Sequence, residues 1–337
     1  MRTLKFLLSK QLNSSKDTQQ VYGFTLIELL VGMILAFLII TPLLGFMINI
    51  MDTDRKEQAK ANSEQEIQAA LDYIARDLQQ AIYIYDATGI GCLSGTADTT
   101  TCPNASTTGN QLPSPTATDR VPVLVFWKRE LVSNAITITS TSDPKDDTFV
   151  YSLVAYYLIQ DPTYNSSTST WSQAARIARW QIQDGVPDPN STETCGKYLT
   201  GYCPSPGFAP FKLDGIGSIA QKMNAWTKAT ASYNAVPTVL VDFIDQTKTD
   251  DASNPAPTAA CSPTSIPTSF NTRDTGKMTS FYTCVDQVNT AAQVFIRGNA
   301  LARIETDSSR IKYTDTQKTY FPTASVRVQG RGYLYTK

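Results

Sequence analysis

Six cysteines, one glutamate inside an apolar run and two knots of acids are the residues of this 337-residue chain best equipped for chemistry. Histidine is absent, which removes the commonest general base and the commonest metal ligand. Ser-His-Asp triads, Cys-His dyads and histidine-ligated zinc sites are therefore impossible within the chain. The acids of "DPKDD" (Asp143, Asp146, Asp147) and "DGVPDPNSTE" (Asp184, Asp188, Glu193) are hard oxygen donors of the kind calcium takes. Neither run has the spacing of a calcium loop, and both read as solvated turns. Asp214-Gly215-Ile216-Gly217 is too short for a phosphate loop and reads as a glycine turn. With no nucleophile and base converging, the expectation is a protein that is not an enzyme, with no catalytic residue, no metal and no cofactor.

The cysteines fall as three local pairs in Pro/Ser/Thr-rich surroundings: Cys92 and Cys102, Cys195 and Cys203, Cys261 and Cys284. An even count so arranged reads as disulfides formed in an oxidising compartment. Six cysteines allow fifteen connectivities. Nearest-neighbour pairing is the expectation, and free buried thiols are its rival. Neither CxxC nor histidine is present to support zinc.

Glu28 is the only charged residue in "YGFTLIELLVGMILAFLIITPLLGFMINIM", residues 22 to 51. From Leu29 to Ile50 only Thr41 and Asn49 are polar, sufficient to span about 30 Å of hydrocarbon as a helix. Pro42 and Gly45 sit mid-segment, where loosening or a kink is expected. Residues 1 to 23 carry Arg2, Lys5, Lys10 and Lys16 against Asp17, a net of +3 within a chain of net −1. Positive charge on that side puts the N-terminus in the cytoplasm and the remainder outside. The rest sums to −4, so the overall charge offers nucleic acid little attraction, and no nucleic-acid partner is expected.

Beyond Met51 the sequence turns polar, in "DTDRKEQAKANSEQE". Then Ile67, Leu71, Ile74, Leu78 and Ile82 form an apolar stripe at helical spacing. The pattern predicts one helix of about 60 residues, roughly 90 Å long, with a membrane half (24–51) and an amphipathic half (52–85). Residues 86–337 read as the exported domain. They begin with a long loop, followed by strands at 121–127, 134–140, 148–159, 175–182, 238–244, 291–301 and 325–335. The third and fourth of these read as antiparallel neighbours. The fold class is α+β: a long N-terminal transmembrane and amphipathic helix, then an antiparallel β-sheet domain with disulfide-tied loops.

A carboxylate at the centre of a membrane helix costs about 2.5–3.5 kcal/mol on insertion scales. Glu28 lies near one end, so snorkelling lowers that cost. The alternative is that it waits for a cation at the same depth on another molecule. A cut between Gly23 and Phe24 would create one, the new α-amine, which Glu28 of the same chain could not readily reach about 6 Å along the axis. An ion pair of this kind would act as a registration device.

"GFTLIELLVGMIL" resembles the N-terminal signature of type IV pilins and of type II secretion pseudopilins. The match is Gly23 before the cut, Phe24 as first mature residue, "TLIELL" after it, and Glu28 fifth in the mature chain. The resemblance implies a leader of residues 1–23, removed by a prepilin peptidase that also N-methylates Phe24, and an assembly role for Glu28. It implies partners too: other pilin or pseudopilin subunits and an inner-membrane assembly platform, with a cytoplasmic ATPase driving the filament. The location it implies is the inner membrane, single-pass, and then a periplasmic or extracellular filament. Size, irregular loops and the lack of a C-terminal cysteine pair resemble a minor subunit, either a large minor pilin of the PilW type or a cyanobacterial pseudopilin of hormogonium polysaccharide secretion. Motility or secretion is the implied function. Rival readings are a tip adhesin binding sugars through Trp171, Trp180 and Trp226, which a buried β core explains equally well, and DNA uptake through "FWKRE" (126–130).

Overall fold

The computed structural model describes residues 23, 25–95, 102, 110–113, 120–137, 145–160, 170–188, 195–214, 216–261, 278–332 and 334. Among these, helix α1 runs without interruption from Leu26 to Gln79. Residues 26–51 are exposed throughout; by length and composition this is a helix able to cross a membrane. It continues through Pro42 and Gly45. The Thr41 hydroxyl is satisfied by the Phe37 carbonyl 2.9 Å away, one turn back.

From Ala59 onward one face is buried: Ala59, Ser63, Ile67, Ala70, Leu71, Ile74, Asp77 and Leu78, at steps of three and four. The helix was expected to reach Tyr85, but it ends at Gln79, and Ala81–Ile84 form strand β1. "AIYIY" is β-branched and aromatic, a composition that suits a pleated, buried surface. Ala81 and Ile84 face one core while Ile82, Tyr83 and Tyr85 face another. Ile82 is therefore buried, but not by the helix stripe.

Among the described residues, eight antiparallel strands, β1 included, form two sheets. The first has order β1–β2–β3–β4–β5, with β2 Arg120–Thr137, β3 Lys145–Ile159, β4 Ala175–Gln183 and β5 Thr238–Ile244. The second is β6 (Phe281–Asp286), β7 (Ala291–Arg297) and β8 (Thr323–Gln329). The expected pairing of β3 with β4 is present, with Leu153 opposite Ile182 and Ala155 opposite Trp180. The two strands expected at 121–127 and 134–140 form one, bulged between Val132 and Ile136, along the length of β3; residues 138–140 lie outside the described region. β6 was not anticipated: it is short and its polar Thr283 and Cys284 interrupt the apolar run.

Both faces of the large sheet are covered, which is why its strands read as near-continuous apolar runs. Leu124, Phe126, Val154, Tyr156, Leu158 and Ile177 pack against the α1 stripe and the second sheet. Val125, Trp127, Leu153, Ala155, Tyr157, Trp180 and Ile182 form the core on the opposite face. Helix α2 (Ala87–Ser94) covers part of that second core through Ile90 and Leu93, where a loop was expected. Its glycines argue against a helix, but Asp86 caps one end (2.8 Å to the Gly89 N–H) and Gly95, at φ 70°, closes the other. Past β8, the chain crosses β1 so closely that a Cβ on Gly330 would stand 2.4 Å from the Ala81 carbonyl oxygen.

Three disulfides tie the domain: Cys92–Cys102, Cys195–Cys203 and Cys261–Cys284, with Cα separations of 5.4, 5.8 and 6.0 Å. The nearest-neighbour pairing is the one formed. Cys261–Cys284 closes the longest loop, 23 residues, onto β6. Replacing both of its cysteines by alanine is expected to cost about 3 kcal/mol, read as a lower denaturant midpoint with a steeper slope, because the unlinked unfolded chain exposes more surface.

Candidate functional site

Among the described residues, two charged sites bear most on what the chain could do. The first is the opening turn of α1. Thr25 precedes the helix; its carbonyl accepts the N–H groups of Glu28 (3.0 Å) and Leu29 (3.1 Å). The Glu28 N–H also lies 3.4 Å from the Thr25 hydroxyl, which in turn donates to the Glu28 carboxylate at 3.5 Å. This is a Thr-x-x-Glu arrangement at a helix start, and the negative charge sits at the positive end of the helix dipole. Glu28 thus has a local partner that sequence inspection missed, although the T-x-x-E spacing signals it. Gly23 is exposed, and a Cβ placed on it would meet nothing within 4 Å. Phe24, the other half of the expected cleavage site, lies outside the described residues.

The second place is under the amphipathic half of α1. Asp77 is buried, and three groups converge on its carboxylate. The Lys128 ammonium is 3.0 Å away, the Tyr156 hydroxyl donates at 2.8 Å and Arg179 Nε donates at 2.7 Å. Arg179 also donates to Gln181, whose amide donates to Glu130, and Ser152 donates to the same carboxylate at 2.7 Å. Lys128 lies 3.6 Å from Glu130. Charge therefore alternates from Glu130 and Lys128 on β2, through Asp77 on α1, to Arg179 on β4, while β3 supplies the hydroxyls of Ser152 and Tyr156. Burial alone would raise the Asp77 pKa; the Arg179 hydrogen bond and charge, followed by Lys128, outweigh it and hold the carboxyl below the usual aspartate range. Burial, with the neighbouring Asp77 carboxylate, pushes the Tyr156 hydroxyl far up, so it remains a donor.

This cluster fixes how α1 lies on the sheet. A one-residue slip of β2, β3 or β4 would turn its polar member to the other face. A second buried pair performs the same task between the sheets: Arg297 on β7 donates to Asp245, just past β5, at 2.8 Å, and Asp245 also accepts Thr247 N–H at 2.9 Å. Of these charged residues, only Lys128 and Glu130 were singled out beforehand, within "FWKRE" and for a different role. The available signal was Asp77 itself, a carboxylate on the buried helix stripe three residues after Ile74.

The other candidate residues are dispersed. Among the acids, Asp147 accepts the Asn134 N–H (2.8 Å) and Asp184 the Gly185 N–H (2.8 Å), as turn residues do; Asp143 and Glu193 lie outside the described residues, as does Gly215. Among the described residues no three His, Cys, Asp or Glu side chains gather as a metal site. Trp180 and Trp226 are not exposed ring platforms. Both are buried, with their indole N–H groups on the carbonyls of Ala235 (3.1 Å) and Ala209 (2.8 Å); Trp171 is exposed. In "FWKRE", Lys128 is committed to Asp77, and the Arg129 guanidinium sits 3.8 Å over the Phe149 ring. That leaves no basic stripe along this strand. No family model matches the sequence, and neither a curated protein nor a solved structure matches it.

Proposed function

We propose that this protein is a minor pilin or pseudopilin, cut between Gly23 and Phe24, whose N-terminal helix anchors it in the inner membrane and then packs in a type IV pilus-like filament. The architecture, a long apolar N-terminal helix followed by a β-sheet domain, is compatible with that class. The observation that carries the reading is the sequence "GFTLIELL" at the head of an apolar helical half, residues 26–51, that is exposed throughout and has a single carboxylate in its first turn. Gly23 adds support. No described residue would crowd a side chain there, so a requirement for glycine would come from outside the described chain, as a peptidase site does. The three disulfides suit an exported domain. Motility or secretion, including polysaccharide export, is the process such a filament would serve.

Gly23→Trp tests the reading. Co-expressed with a prepilin peptidase, the native chain is expected to lose residues 1–23 and gain a methyl group on Phe24, both visible by intact mass. The variant is expected to keep its leader. Equal cleavage of both chains, or of neither, would overturn the proposal.

A further inference from the structure

We propose that the pocket beside helix α3 (Ile219–Asn224) binds an acidic carbohydrate. The pocket has a volume of about 840 Å³, within the ~300–1,000 Å³ range of small-ligand sites. Its lining includes three lysines, Lys212, Lys222 and Lys228, against one carboxylate, Asp214. Lys222 and Lys228 are half-buried. A cation so placed loses hydration and normally regains it from a counter-ion. Here, among the described residues, none of the three ammonium groups has a carboxylate within ion-pair distance. Main-chain carbonyls hold two of them instead. Lys222 donates to Leu213 at 2.8 Å, while Lys228 donates to Ala229 at 3.3 Å and Ala231 at 3.4 Å, 5.2 Å above the Tyr233 ring. In a chain of net charge −1, this is a local surplus of fixed positive charge.

The walls are rigid. Trp226 closes the back, its ring 5.5 Å from that of the buried Trp127, and its N–H ties Ala209 in place. The Lys228 N–H donates to the Gln111 side chain at 2.7 Å. Ser218 and Gln221 form a reciprocal capping box that sets the edge of the pocket. A site assembled before the ligand arrives loses less entropy on binding.

The mixture of groups selects the ligand class. Ammonium groups bind carboxylates as point charges. Asp214, Gln221 and Thr227 offer acceptors and donors to ring hydroxyls, groups that an internal deoxynucleotide does not carry. Pro210 and Ala225 give apolar surface to the C–H face of a sugar ring. Single-stranded nucleic acid binds by stacking bases on aromatic faces, and the tryptophan here is buried. The best fit is therefore a uronic-acid type oligosaccharide. This inference does not depend on the pilin reading of the N-terminus.

The test uses the full chain in neutral detergent, titrated with an oligogalacturonate, its neutral methyl ester and single-stranded DNA of matched length. Saturable binding of the oligogalacturonate is expected, weakened by salt and absent with the ester. Lys212→Glu, on an exposed side chain, and Lys222→Gln should each weaken it by about tenfold or more, with an unchanged denaturant midpoint showing that the fold is kept. Lys197→Gln, outside the pocket, should leave it unchanged. Absence of saturable binding, equal binding to the ester or to DNA, or indifference to both pocket variants would overturn the proposal.

Discussion

Asp77→Ala is expected to remove about 3–5 kcal/mol of folding stability. The carboxylate is the common partner of Lys128, Tyr156 and Arg179. Without it, two cations stay buried with only Glu130 between them, and Glu130 is already shared with Ser152 and Gln181. A denaturant melt of the full chain in detergent reads the loss directly; a cost below about 1 kcal/mol would show that water or Glu130 compensates. Exchanging Asp77, Lys128 and Arg179 together for apolar residues of similar volume should cost far less, because no orphaned charge remains. The pH dependence follows from the direction of the shift. The folded Asp77 pKa lies below the unfolded value, so its contribution is fully present above about pH 4. It is lost as pH falls through the lower, folded value. Asp77→Asn should therefore show shallower acid destabilisation than the native chain below about pH 4.

Glu28→Gln is expected to leave cleavage after Gly23 intact while lowering incorporation into filaments by about tenfold or more. Glutamine is the informative replacement because it separates the Thr25 contact that the structure shows from the ion pair proposed for assembly. Glu28 closes the first turn with Thr25, and an amide at that position can do the same. What an amide cannot do is meet an ammonium at membrane depth. If chains carrying Glu28→Gln enter filaments as efficiently as native ones, the carboxylate is a helix cap and the ion-pair account fails. If they do not, and circular dichroism shows the helix unchanged, charge is the requirement. The measurement is the ratio of sheared-filament to membrane-bound subunit at equal expression.

The legibility of each element followed from how locally its cause acts. The apolar run after Thr25 needed no partner to be recognised, because a long stretch without charge has few other uses. Strand β5 was legible to the residue, "TVLVDFI" at Thr238–Ile244, since alternation and β-branching are local. Cysteine pairing by nearest neighbours is also a short-range outcome, favoured by small loops. The misread segments had causes outside themselves. Ala81–Ile84 continues the helical stripe in sequence but pairs with Phe126, Trp127 and Lys128 of β2. Ala87–Ser94 is poor in helix formers yet helical, because Asp86, Gly95 and the burial of Ile90 and Leu93 outweigh propensity. Trp180 and Trp226 read equally well as a surface platform or a core, and only the packing of the 208–235 segment over β2 and β4 separates the two.

By itself, then, the sequence determined the class of fold, the membrane-length helix, the disulfide-bearing β-sheet domain and the peculiarity of Gly23 and Glu28, since composition, period and spacing are properties of the chain alone. Tertiary structure decided where the helix stops, which charges are buried and what surrounds them. Asp77, Lys128 and Arg179 are separated by 51 and 102 positions from helix to strands, and no spacing rule brings them together. The same holds for the lysine pocket, whose cations fall at 212, 222 and 228 with nothing between them to mark a motif. A buried charge is tolerated only where folding delivers its partner, and that delivery is written in the register of the sheet.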